Sequence, residues 1–109
     1  MKAIVITRFG APEVLQLQDI ADPAPRLDEV LVRAEAGGIN FADVITARGG
    51  YPGTPPPPLV AGREFSGIRA SDGRRVMGYT QWGAFAELVA ARASLLWPVP
   101  ENWSAEEGA

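Results

Sequence analysis

Between Gly38 and Gly53 the chain reads GINFADVITARGGYPG, and three polar side chains there could do chemistry: the Asn40 amide, the Asp43 carboxylate and the Tyr51 phenol. An amide and a phenol donate hydrogen bonds, and a carboxylate accepts them. The sequence has no cysteine and no histidine. That excludes disulfides, thiolate metal sites and cysteine nucleophiles, and removes the commonest general base and metal ligand. A zinc site would need carboxylates alone, and nothing in the sequence clusters them suitably. The glycine pairs Gly37-Gly38 and Gly49-Gly50 lack the spacing and the βαβ surroundings of a dinucleotide-binding turn. The chemistry left to this stretch is hydrogen bonding, not covalent or metal catalysis.

A short helix must position these groups. Phe41, Val44, Ile45 and Arg48 recur at i, i+3, i+4 and i+7 and share one helical face. Asn40 stands where an N-cap belongs, and Asp43 follows three residues later in capping-box position. Strands lead up to this helix. Ala3 to Ile6 is a β-branched apolar run closed by the turn Phe9-Gly10-Ala11-Pro12. Val14 to Gln18 alternates as a half-buried strand does. Asp22 to Arg26 is an extended connector, and Glu29 to Ala36 carries Val30, Val32 and Ala34 on one face. After the helix, the four prolines Pro55 to Pro58 predict a stiff, polyproline-like surface spacer. Glu64 to Ala70 and Arg75 to Tyr79 are predicted strands joined by the tight turn Ser71-Asp72-Gly73. Gly83 to Ala90 and Leu95 to Val99 are two more, the last interrupted at Pro98. Ser104 to Glu107 reads as a capping box that starts a helix.

Bulk composition sets the frame. The chain has 109 residues, 47% hydrophobic and 21% charged, with a net charge of −3. That fits one globular domain able to bury a core without staples. The negative balance argues against nucleic acid or an anionic membrane as partner. No run reaches transmembrane length, and MKAIVITRFG has too short an apolar run for a signal peptide. The expected location is cytoplasmic. About seven short strands, many glycines and prolines and one brief helix predict a mostly β fold, an antiparallel barrel or sandwich.

The order of these pieces resembles the N-terminal, GroES-like domain of medium-chain dehydrogenases/reductases, in particular the zinc-independent quinone oxidoreductase branch. The resemblance runs over residues 1–109 through MKAIVITRFGAPEVL, DEVLVRAEAGGINFADVITARGGYPG, GREFSG, RRVMGY, GAFAELV and PVPENWSAEEGA. Zinc alcohol dehydrogenases carry Gly-x-Cys-x-x-Asp and Gly-His-Glu motifs that hold catalytic zinc. Here the frames read Gly38-Ile39-Asn40-Phe41-Ala42-Asp43 and Gly62-Arg63-Glu64, so Asn40 and Arg63 stand at the ligand positions. The resemblance therefore implies no metal and a hydride transfer from NADPH to a quinone or an α,β-unsaturated carbonyl. Its nearest rival is an enoyl reductase acting on acyl thioesters, as in polyketide synthases; a non-catalytic GroES-like binding or scaffold module is the alternative of another class.

The same resemblance assigns roles residue by residue. Asn40 would face the nicotinamide and the substrate carbonyl, with a plain N-cap as the competing reading. Asp43 and Tyr51 would contact substrate, against a helix-dipole carboxylate and a packing anchor for the proline loop. Asn40, Phe41 and Glu64 would lie on the cofactor side. Trp82 is expected to pack under the barrel rim, and Trp97 and Trp103 in the core and at a domain interface. The family's dinucleotide sits mainly on a Rossmann domain that this sequence lacks, so the chain is expected to be part of an enzyme, inactive alone, with a small-molecule substrate and a homodimeric full-length form. One departure is the hairpin IRASDGRRV, shorter than the family's usual one.

Overall fold

The computed structural model describes residues 1–109. Strand β1 (Lys2–Ile6) is followed by a 3-10 turn at Pro12–Val14, β2 (Leu15–Asp19) and the long β3 (Glu29–Gly38). Helix α1 (Phe41–Ala47) leads to β4 (Leu59–Val60), β5 (Glu64–Arg69), β6 (Arg75–Tyr79) and β7 (Leu88–Arg92). A second 3-10 turn, β8 (Leu96–Pro98) and α2 (Ala105–Gly108) complete the chain. All pairings are antiparallel, in a small sheet ordered β2-β1-β4 and a larger one ordered β7-β3-β5-β6-β8. An Ala3–Ala86 bridge links β1 to the segment leading into β7, and the sheets curl into a partly open antiparallel barrel, one of the two architectures that the strand count allows and the one that the GroES-like resemblance implies.

The two sheets share an apolar interior. Val32, Phe65, Val76 and Val89 fill the larger sheet's side, and Ile6, Val14, Ala47 and Leu59 the smaller one's. Phe85 touches both clusters. Its ring fits because Gly37 and Gly62 face it: a Cβ at Gly62, where φ is +92°, would come within 2.4 Å of that ring. Burying a residue like Phe65 stabilises the fold by roughly 1.5–3 kcal/mol.

Several elements differ from expectation. The strand at β4 was not predicted; two residues directly after prolines carry no alternation to read, yet they pair with Val5 and Ile6. Leu15 and Leu17 do not make β2 half-buried, and Leu17 is 66% exposed. β2 is an edge strand of its sheet, and none of its residues is buried. The predicted strand from Gly83 is irregular until Leu88, because Ala84 and Val89, of opposite parity, are both buried. The proline run is not a uniform polyproline segment, its Pro57–Pro58 bond being cis. Trp97 and Trp103 are exposed, not core. Pro98 is tolerated because β8 is an edge strand.

The short hairpin is closed electrostatically. Arg69 donates from Nε to Asp72 Oδ1 at 3.0 Å, and the Arg74 backbone N–H donates to the same oxygen at 3.1 Å. The hydrogen bond from Arg69 is the main cause that lowers the Asp72 carboxyl from its ordinary 3.8 to about 2. A lowered folded value means the contribution is complete above the unfolded value and is lost as pH falls through the folded one. The hairpin should therefore keep its closure down to about pH 4 and lose it toward pH 2. An NMR titration should place the Asp72 inflection near 2 and find it higher in Arg69→Met; an unmoved inflection would count against the pairing.

Candidate functional site

Helix α1 has seven residues, too few to be stable by propensity, so its ends and its contacts must hold it. At its start, Asn40 N–H donates to Asp43 Oδ2 at 2.8 Å, and Asp43 N–H donates to the Asn40 backbone carbonyl at 3.0 Å. The two residues stand in capping-box arrangement, but the Asn40 side chain makes no capping hydrogen bond of normal geometry. Capping therefore rests on Asp43 and on backbone. At the other end, Gly49 takes φ +83° and donates to Thr46, while Gly50 donates to Ile45 at 3.0 Å. This is a Schellman closure, which needs a residue free to be left-handed.

The face that α1 turns inward is not its apolar stripe. Thr46 and Ala47 are buried, while Phe41 is 75% exposed and Val44 is also exposed. The reason is Arg63, at the residue just before β5 and only 5% exposed. Its guanidinium donates to Thr46 Oγ1 at 3.1 Å and to the Tyr79 hydroxyl at 3.4 Å. Its Nε lies 4.0 Å from Asp43 Oδ1, and its Cζ sits 3.9 Å from the centroid of the Tyr51 ring. A buried charge needs partners of this kind, and Tyr51 adds a cation–π contact. Polar docking of Thr46 and Asp43 onto Arg63 turns the helix so that Ile39 and Phe41 point outward. The periodicity of α1 could not reveal this, because the anchor lies outside the helix.

Asp43 and Tyr51 thus meet at Arg63, with Tyr79 and Thr46 as members that the sequence did not single out, while Asn40 is tied to the group only through its backbone bonds to Asp43. The signal available was a lone arginine inside the apolar run LVAGREF. Glu64 and Phe41 lie apart from this cluster. Glu64 is half-buried, pairs with Gly38 and Tyr79, and borders a groove with Met77 and Trp97. Trp82 is partly exposed and lines, with Tyr51, Thr54, Arg63, Tyr79 and Gln81, a small pocket of about 80 Å³. A larger groove of about 690 Å³ runs along the proline segment beside Arg26 and Glu29. None of Asn40, Asp43, Arg63 or Glu64 borders it, and of these four only Arg63 lines the smaller pocket. No group of three or more Asp or Glu side chains is arranged to hold a metal ion.

Comparison with known proteins agrees with this architecture. Residues 26–74 match the alcohol dehydrogenase GroES-like domain. The quinone oxidoreductase of Thermus thermophilus, a structure that includes its complex with NADPH, superposes with a TM-score of 0.88 at 40% identity, over 99% of this chain and 35% of that one. The human synaptic vesicle membrane protein VAT-1 homolog-like protein superposes with a TM-score of 0.94 at 32% identity, over 99% of this chain and 38% of that one. Mouse quinone oxidoreductase is 32% identical over all of this chain and 36% of its own length. The fold and the matched residues define a GroES-like domain of the alcohol dehydrogenase type. The chain is similar to the N-terminal part of quinone oxidoreductases and VAT-1-type proteins. It spans only 28% to 36% of the length of such curated relatives.

Proposed function

We propose that the chain is the substrate-side, N-terminal domain of an NADPH-dependent oxidoreductase that reduces quinones or α,β-unsaturated carbonyls without zinc. The observation that supports it most is the Arg63 cluster: a buried cation fills the position where the zinc enzymes' motif has histidine, paired with the Asp43 that follows Asn40 by three residues. A fixed positive charge there opposes a second, divalent cation at short range. Bound NADPH supplies the hydride. Asn40 donates a hydrogen bond to the carbonyl oxygen that gains charge, Tyr51 and Asp43 shape the polar wall, and Phe41 and Glu64 face the nicotinamide side. The chain's glycine pairs lack the spacing of a phosphate cradle, so its share in cofactor binding is confined to that end. Excluding water from such a site strengthens each of these hydrogen bonds.

The test is NADPH oxidation by the product of the complete reading frame, with 1,4-quinones compared against enoyl thioesters. Turnover is expected with quinones, one NADPH and one proton being consumed per hydroquinone formed. Preference for enoyl thioesters would shift the reading to the acyl branch, and no turnover with either would overturn it.

A further inference from the structure

We infer that the pocket over Arg63 is an anion subsite for a planar, conjugated carboxylate, and that Arg63 is the residue that sets this specificity. The inference rests on the reading of this region as the substrate end of the domain, and it adds a charge requirement to it. Its first ground is unused donor capacity. Arg63 is 95% removed from solvent by its 5% exposure, yet its Nε has no hydrogen-bond partner, the nearest carboxylate oxygen being 4.0 Å away. The bond to the Tyr79 hydroxyl, at 3.4 Å, is long and readily exchanged for a better acceptor. A guanidinium in this state prefers a carboxylate, whose two oxygens match its planar fork. The cost of taking the cation out of water has already been met in folding, so an incoming anion meets a preorganised partner.

The second ground is the shape and lining of the pocket. Tyr51, Tyr79 and Trp82 supply three aromatic side chains around Arg63, and Gln81 and Thr54 supply polar edges. Aromatic walls with one cation at their base suit a flat conjugated body that ends in a negative oxygen. At about 80 Å³ the pocket is well below the size that holds a whole ligand. It takes one end of a substrate, leaving the remainder outside the pocket. Asp43 faces the Nε side of Arg63 through Oδ1 at 4.0 Å, beyond hydrogen-bond reach, and does not line the pocket, so an incoming carboxylate approaches from the pocket side, where the guanidinium holds only the long bond to Tyr79.

The experiment is an NMR titration of the 109-residue chain with benzoate, and with benzamide as its neutral isostere, following the Arg63 Nε–Hε and Trp82 indole resonances. Saturable shifts with benzoate are expected, at roughly tenfold or lower concentration than benzamide requires, as for a hydrogen bond to a charged group. Arg63→Lys keeps the charge but loses the fork, and should weaken benzoate by about tenfold or more. Arg63→Met combined with Asp43→Asn removes the cation without stranding a buried carboxylate, and should abolish the difference between the probes. Equal affinity for benzamide, no shift at these resonances, or undiminished benzoate binding by Arg63→Lys would each overturn the assignment. Benzoate binding alongside a complete reading frame that oxidises no NADPH would sink the reductase reading and leave the anion subsite standing.

Discussion

Gly67→Ala should remove a large part of the stability of the fold. Gly67 lies opposite Ala34, where β3 and β5 slip register because Glu35 is left unpaired between Ala34 and Ala36. A bulge brings the partner strand close, and a glycine is what permits the approach. A Cβ added at Gly67 would lie 2.1 Å from the Arg33 carbonyl oxygen and 2.9 Å from the Ala34 Cα. These are backbone atoms of the central strand pair and cannot swing aside as a flexible side chain does. Parting β3 from β5 also disturbs α2, which packs on both strands and whose Ala105 carbonyl accepts the Ser66 hydroxyl. The expected loss is in the exceptional class, about 4–5 kcal/mol or more, against a total of roughly 5–15 kcal/mol for a small domain. Urea unfolding followed by circular dichroism checks this. A cooperative transition within about 1 kcal/mol of the parent would mean that the strands separate more easily than their contacts imply.

Asn40→Ala, made in the complete reading frame, should lower kcat/KM by roughly 10- to 1000-fold while lowering the melting temperature by less than the loss of a full N-cap would. The loss in rate is that of one donor to a developing oxyanion. The small change in stability follows from the helix start. An N-cap replaced by alanine usually costs about 0.5–2 kcal/mol, but here Asp43 and the Asn40 backbone make the bonds that close the first turn. Rate and stability are thereby separable at this position. A melting temperature lowered as for a lost cap, with kcat/KM intact, would reduce Asn40 to a structural residue. Asp43→Ala should do the opposite to the helix, because it removes the bond that Asn40→Ala leaves in place.

The strands were legible where one residue in two is buried. β3 keeps that rhythm from Val30 to Ala34, and Asp72-Gly73 marks the turn between β5 and β6 correctly. The rhythm fails where burial is decided by something far along the chain. Leu15 and Leu17 alternate properly, yet both are exposed on an edge strand. The helix start and end were readable from Asn40, Asp43 and Gly49-Gly50, since capping is local chemistry. Its orientation was not, because Arg63 turns it from sixteen residues before Tyr79 and seventeen after Thr46. Arg63 itself read as an oddity within LVAGREF. That it is buried depends on Asp43, Thr46, Tyr51 and Tyr79 meeting in space, which no single stretch encodes.

The division of labour at the start of α1 bears on how such a domain changes over generations. Because Asp43 and backbone groups make the well-formed bonds of the cap, the side chain at position 40 carries the smaller share of holding the helix start. Selection can then exchange it for another functional group without first accumulating compensating substitutions. The zinc enzymes' motif puts a thiol in the corresponding place, and this chain puts an amide there. A scaffold that insulates its reactive position from its own stability is open to new chemistry by single steps.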